Sequence, residues 1–489
     1  MITALRPYPA MKDSGVPWLG QVPEHWELAP NRRLLRQRKV LVGSRHTQYE
    51  LLSLTKKGVI VRDVETGRGK FSADMGTSQE VRAGDLVFCL FDVPETPRTV
   101  GLSRHTGMIT GAYTVFECRD ALLAAYLDLY YRAMDDRKLL SPLYSGLRNT
   151  IPPDHFLAAK SPLPSPAEQA AIVRFLDYYD RRIRRYIRAK QKLIKLLEEE
   201  KQAIIHRAVT GQIDVRTGKP YPRYKPSGVE WLGDVPEGWE VAALRLRYDQ
   251  CLGKMLDAKR ITGDHLVPYL RNTDVQWGRI NTVSLPQMDI EAHELSRFTV
   301  QPGDLLVCEG GDVGRCAFWT GQLETCGFQK ALHRLRPLQP ARDYPRFLYY
   351  LMFLASKLGV FVASGSESTI AHLTGDKLRA HRFVFSPRAE QEAIAKHLDV
   401  AVQSIESTIA AITREISLLR EYRTRLIADV VTGKLDVREA AAALPDEPEE
   451  ADEPEQDAGL DEGEDDLASD DGSEQEADEV CPVPGVSSH

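Results

Sequence analysis

Lysine and arginine, together with asparagine and glutamine, collect in two glycine-marked stretches of the chain. The first holds Lys56, Lys57, Arg62, Arg68, Lys70, Arg98 and Arg104. The second holds Arg271, Asn272, Gln276, Trp277 and Arg279 in YLRNTDVQWGRI, followed by Arg315, Gln329, Lys330 and His333. A further set sits in a loop written twice. SGLRNTI (145–151) presents Arg148 and Asn149, and SGSESTI (364–370) presents Glu367 and Ser368 at the matching positions. Guanidinium and ammonium groups pair with guanine, and side-chain amides with adenine, along the major-groove edge of duplex DNA. A fixed frame with exchanged polar residues suits two readers of different sequences. For most single cations in these sets, a phosphate-facing role is the ordinary expectation.

Motifs for bond-making chemistry are missing from the sequence. It has no GxxxxGK[ST] phosphate loop, no GxGxxG turn after a strand and no HExxH. NTIPPD (149–154) lacks the Asn-Pro order and the stacking aromatic of an amino-methyltransferase motif. Asp154 with Lys160 lacks the second carboxylate that would hold a cation for phosphodiester cleavage. GGDVG (310–314) reads as a tight turn after a strand. Seven cysteines form no CxxC or Cys/His cluster, which predicts free thiols in a reducing cytoplasm. The expectation is a binding protein with no catalytic residue, no metal and no cofactor of its own.

The chain has 489 residues, with 63 Lys and Arg against 70 Asp and Glu, for a net charge of −7. That balance argues against a polyanionic partner, but it averages two unlike parts. Between 446 and 479 there are 19 acidic residues, and no Lys or Arg occurs from 445 onward. The remainder, 1–444, carries 63 basic against 51 acidic residues, a body of +12. A basic body neutralises phosphates whatever their sequence. The tail (445–489), dense in like charge and low in apolar residues, is expected to be disordered. It serves solubility or competes with nonspecific DNA for the basic body. No apolar signal region opens the sequence. The most apolar run, FLYYLMFLA (347–355), is too short to span a bilayer, so a cytoplasmic location is expected.

The elements that must position these side chains come in duplicate. SGVPWLGQVPEHWE (14–27) recurs as SGVEWLGDVPEGWE (227–240), an offset of 213. AGDLVFC (83–89) matches PGDLLVC (302–308) at 219, and VTGQID (209–214) matches VTGKLD (431–436) at 222. Between these frames almost nothing aligns; 43–69 has no counterpart near 253–278. The four tryptophans of the opening motifs, Trp18, Trp26, Trp231 and Trp239, are expected to pack rather than stack on bases.

Each copy divides into two parts. Residues 11–164 and 227–386 mix short strands (85–90, 304–309) with one amphipathic helix (122–140, 345–362), joined by a linker at 211–226. Residues 165–210 and 387–432 are glycine-free, with a stripe in alternating steps of four and three. The first stripe runs Ile172, Leu176, Tyr179, Ile183, Tyr186, Lys190, Leu193, Leu197, Glu200, Ile204. The second runs Ile394, Leu398, Ala401, Ile405, Thr408, Ile412, Glu415, Leu419, Tyr422, Leu426. A 3.5-residue period is a coiled-coil seam, and such a helix would be roughly 60 Å long. The predicted fold class is α+β: two tandem-duplicated α/β-mixed domains separated by two long α-helices that form an antiparallel coiled coil.

The paired opening motifs, the GDLLVCEGGDVGR strand and turn, the Ser-Pro…Glu-Gln starts of the helices (165–169, 386–391) and the VTGxxD exits resemble the specificity subunit of type I restriction-modification systems. The resemblance covers about 11–440; the acidic tail departs from it. It implies that each mixed domain is a target recognition domain for one half of a bipartite site in double-stranded DNA. The helices would then set the spacer between the halves. It also implies two methylation subunits, which use S-adenosylmethionine, and two restriction subunits, which use ATP and Mg²⁺, as partners in DNA methylation and phage defence. The alternative from another class is a coiled-coil scaffold whose two domains bind protein. A nuclease is a third reading, disfavoured by the missing carboxylate cluster.

Overall fold

The computed structural model describes residues 5–62, 75–256, 262–362 and 372–445. They fall into two units. One draws on 1–188 and on 416 onward, the other on 189–415, so each unit holds one mixed domain and part of both long helices.

In the first unit the scaffold is a four-stranded antiparallel sheet. Strands β1 (Leu35–Arg38), β2 (Leu86–Phe88), β3 (Val100–Leu102) and β4 (Thr114–Cys118) lie in the order β1-β4-β2-β3. Helix α1 (Ala121–Asp135) packs against β3 and β4. Its first turn is capped by Asp120, whose carboxylate accepts from the Leu123 amide at 2.8 Å, a contact worth about 1 kcal/mol. Phe88, Phe116, Tyr131 and Phe156 interlock beneath it, with ring centroids 4.8 to 5.6 Å apart. A hairpin (Leu52–Thr55 with Gly58–Val61) and a second pair (Gln79–Val81 with Gly107–Ile109) close a smaller core around Leu54, Val59, Val87 and Val115.

Beyond α2 (Pro166–Val209), the second unit repeats that scaffold. Strands β5 (Tyr248–Leu252), β6 (Leu305–Cys308), β7 (Cys316–Phe318) and β8 (Leu332–Pro337) lie in the matching order β5-β8-β6-β7, followed by α3 (Pro345–Lys357). The insert is different. Leu266–Leu270 pairs antiparallel with Gln287–Asp289 and parallel with Gly327–Phe328, over a core containing Val275, Leu306 and Trp319. The frames repeat where the sequence repeats, and the inserts differ where it does not.

The short helices end earlier than their amphipathic patterns suggest. After α1, the Leu139 amide bonds back to the Met134 carbonyl across Lys138, which sits at φ 48°. After α3, the Val360 amide bonds to Ala355 across Gly359, at φ 70°. Both are left-handed C-terminal closures. Lys138 does glycine's work in the first, held by Asp135 and by the Thr96 carbonyl, each at 2.7 Å.

Helices α2 and α4 (Arg388–Val431) are 44 residues each. In the first unit Asp180 pairs with Arg423; in the second Lys190 pairs with Glu415 at 2.8 Å and Lys201 with Glu406 at 3.6 Å. One number rises as the other falls, so the helices are antiparallel within each unit, as expected. The seam departs from the expected residues midway. Tyr186, Leu193 and Glu200 are exposed on α2, while Ile183, Ile187, Ile194, Lys201 and Ile205 are more covered. On α4, Thr408 and Tyr422 are exposed, and Ile409 and Arg423 turn inward. The inward positions still alternate steps of four and three, but every second one lies one residue later than the expected stripe.

Each unit is locked by the exit turn of a long helix. Gly211 (φ 75°), after α2, lies where a Cβ would stand 2.4 Å from Pro236 of the second unit's opening motif. Gly433 (φ 74°), after α4, lies where a Cβ would stand 2.3 Å from Pro23 of the first. Beside each turn is a buried glutamate at the start of a long helix. Glu168 accepts from His25 at 2.9 Å, Trp26 at 3.3 Å and Tyr8 at 3.4 Å. Glu390 accepts from Tyr221 and from Arg216 at 3.3 Å. Residues 211–226, expected as a linker, thus carry ordered contacts. Burial alone would raise the Glu168 carboxyl, but hydrogen bonds from His25 and Trp26 bring it below its ordinary value.

Candidate nucleic-acid interface

The polar side chains singled out by sequence divide into exposed groups, braces and core. Strand β2 ends in a turn at 90–96, and the SGLRNTI loop is pinned to it: Ile151 donates to the Leu90 carbonyl at 2.7 Å and Asp92 to the Arg148 carbonyl at 3.0 Å. The second unit uses the same joint, since Leu373 donates to the Glu309 carbonyl at 2.8 Å after β6. Glu367 and Ser368 lie outside the described residues, as do Arg68 and Lys70.

On the first joint Arg148 is 57% exposed and forks onto Asp92 through Nε and Nη2, at 3.1 and 2.5 Å. Its guanidinium lies 5.8 Å from the Phe91 ring. The fork leads the forces that pull the Asp92 carboxyl below its ordinary value. Asn149, at φ 44°, is exposed beside it.

Three segments meet in the second unit. Arg271 is 43% exposed and forks onto Asp274, again through Nε and Nη2, both at 2.9 Å. The Asn272 amide donates to the Gly310 carbonyl at 3.1 Å, the Arg315 guanidinium donates to the Asn272 carbonyl at 3.0 Å, and the Trp277 indole donates to Asp312 at 2.7 Å. GGDVG is the expected tight turn, with Gly311 and Gly314 both at positive φ. Gln276 donates to the Thr273 carbonyl at 2.9 Å, and Arg279 is exposed on the strand paired with it. Gln329 is partly buried and Lys330 exposed.

The two forks share a geometry. In each, a carboxylate holds the Nε/Nη2 edge of the guanidinium. Arginine has five N–H donors in a rigid plane; fixing the plane beforehand lowers the ordering entropy lost on binding.

Other members have structural work. Arg98 is mostly buried between Asp135 (3.3 Å) and Asp136 (2.7 Å). Trp277 packs edge-on to Tyr349 and Phe353. His333 requires a correction: it is fully buried, with one ring nitrogen against Gln250 at 2.7 Å and the other against the Leu373 carbonyl at 2.8 Å. It has no edge to offer a base, and burial lowers its pKa. In contrast, Lys56 and Lys57 sit exposed at the hairpin tip and Arg104 is exposed after β3, while Arg62 is partly covered. Sequence reasoning missed Asp92, Asp274 and Asp312, the carboxylates that orient this polar surface. Asp274, three residues after Arg271, carried a local signal; the other two did not.

Among the described residues, no three His, Cys, Asp or Glu side chains come together in a way that would hold a metal ion. Nor is any helix among them long and apolar enough to cross a membrane.

No protein-family profile matches the chain. Over 169 residues, 35% of its length, it is 28% identical to the specificity subunit of the type I restriction enzyme EcoBI from Escherichia coli. That match spans 33% of the relative, about a third of its length. In fold, a chain of a type I restriction-modification system aligns over 85% of this chain and 99% of its own, with a TM-score of 0.62 at 16% identity. The HsdS subunit of Thermoanaerobacter tengcongensis aligns over 85% and 98%, with a TM-score of 0.49 at 17% identity. The chain is thus similar, in sequence over one segment and in fold over most of its length, to components of type I restriction-modification systems.

Proposed function

We propose that the chain is the DNA-target recognition subunit of a type I restriction-modification complex. The supporting observation is the exposed, carboxylate-held arginine in each unit: Arg148 on Asp92 and Arg271 on Asp274. The mixed domains, 11–164 and 227–386, each read one half of a bipartite double-stranded site. Helices 165–210 and 387–432 fix the unspecified spacer between the halves. Arg148, Asn149, Arg271, Gln276 and Arg279 face base edges. Lys56, Lys57, Arg62, Arg104 and Lys330 face phosphates. Arg98, Asn272, Arg315 and Trp277 hold the reading surface in place. Two methylation subunits, supplying S-adenosylmethionine chemistry, and two restriction subunits, supplying ATP- and Mg²⁺-dependent cleavage, are the partners. The chain itself supplies the address.

Electrophoretic retention of duplex DNA tests this reading. Retention that falls steeply with salt, along a log–log line whose slope counts displaced counterions, is the predicted result. A chain that retains no duplex even at low salt, yet captures protein through both domains, would instead be the coiled-coil scaffold.

A further inference from the structure

The two long helices agree in length and in exit geometry, yet differ in charge over one segment. Residues 181–195 of α2 contain eight Lys or Arg and no acidic residue; the matching 403–417 of α4 contain Arg414, Glu406 and Glu415. The repeated scaffold therefore does not require those cations. At 3.6 residues per turn, Arg174, Arg181, Arg185 and Arg188 fall within about 60° of the helix circumference, in a row about 21 Å long. Arg174, Arg185 and Arg188 are exposed, and Arg181 is partly so, paired with Asp177 at 3.1 Å. At one end of the row the Arg174 guanidinium donates to the Leu444 carbonyl at 2.9 Å. The acidic run begins two residues later, at Asp446, and holds 19 carboxylates by Glu479. Those 34 residues can extend at most about 120 Å, several times the length of the row.

We propose that the acidic segment 446–479 is the built-in occupant of this arginine row on α2, delivered to its first member by the Arg174–Leu444 contact. The asymmetries match: one long helix carries the row, and only the segment that follows the second exit turn carries the carboxylates. The tail acts as an internal polyanion, occupying the row against outside polyanions until one with more charge displaces it. Under the recognition function proposed above, it suppresses nonspecific duplex binding at α2 and leaves the readers of the mixed domains uncovered.

The docking itself does not depend on DNA, so its test contains none. A full-length R185K/R188K variant keeps the charge and adds two amines to the row. A water-soluble carbodiimide then joins carboxylates to amines without a spacer, and the products are mapped by mass spectrometry. The expected result is cross-links from 446–479 concentrated at positions 185 and 188. They should fall about tenfold in about 1 M salt, where the screening length shrinks to about 3 Å. Cross-links spread over surface lysines according to exposure, or a yield unchanged by salt, would overturn the proposal and leave the recognition reading standing.

Discussion

Arg148 and Arg271 meet their carboxylates through the same two nitrogens, Nε and Nη2, although they occupy different places in their units. Convergence on one geometry from two positions is what readers of unlike half-sites need. Arg148→Ala and Arg271→Ala should each relax discrimination at one base pair, by about 1–3 kcal/mol, in competition against duplexes substituted base by base. Lys330→Ala should instead weaken all duplexes alike and lower the salt slope by about one. If the arginine variants weakened every duplex equally, phosphate contact would be their role. At this scale the sequence was only partly legible. Residue type marked the candidates, but burial is not written in residue type, so His333 stood among them. Asn272 and Gly310 meet across 38 residues of chain, and nothing local announces that contact.

At the scale of the elements, the repeats made the fold legible. Two framed domains, two long glycine-free helices and their antiparallel pairing all follow from the offsets of 213, 219 and 222 and from the apolar stripe. The stripe was less exact because a period fixes the spacing of the covered positions, not which of two neighbouring residues turns inward at every second step. The exit turns are fixed by glycine for two reasons, positive φ and a proline within 2.4 Å of any added Cβ. Gly433→Ala should therefore cost about 2–4 kcal/mol in urea unfolding, against no more than about 0.5 kcal/mol for the open Gly238→Ala. Equal effects would mean that the exit turn does not lock the unit. The same clasps predict acid sensitivity. Burial would raise Glu168 and Asp436, but their hydrogen-bonding partners, His25 with Trp26 and Arg438, bring both below their ordinary values; Asp214 is lowered by Arg216. Depressed carboxylates contribute stability that is complete above their unfolded values, near about 4, and is lost as pH falls through the folded ones. Thermal midpoints should hold from neutral pH to about 5 and fall below about 4. Glu168→Gln should lower the neutral plateau and flatten the acid decline; an unaltered acid profile would remove Glu168 from the clasp.

Over the whole molecule, a net charge of −7 conceals a +12 body and a tail of 19 carboxylates, and the two are best understood together. Under the proposed function, the body supplies phosphate affinity, the inserts supply difference, the repeated frames supply symmetry, and the tail tempers the affinity. The central claim is that one chain reads two half-sites at a fixed separation. Mapping modified adenines across the genome of a host that expresses the chain with its methylation partners tests this most directly. The expected result is two short, unlike sequences separated by a constant gap, with the half read by the first unit altered in Arg148→Ala and the half read by the second in Arg271→Ala. A continuous palindrome, or a motif unchanged by either substitution, would contradict it.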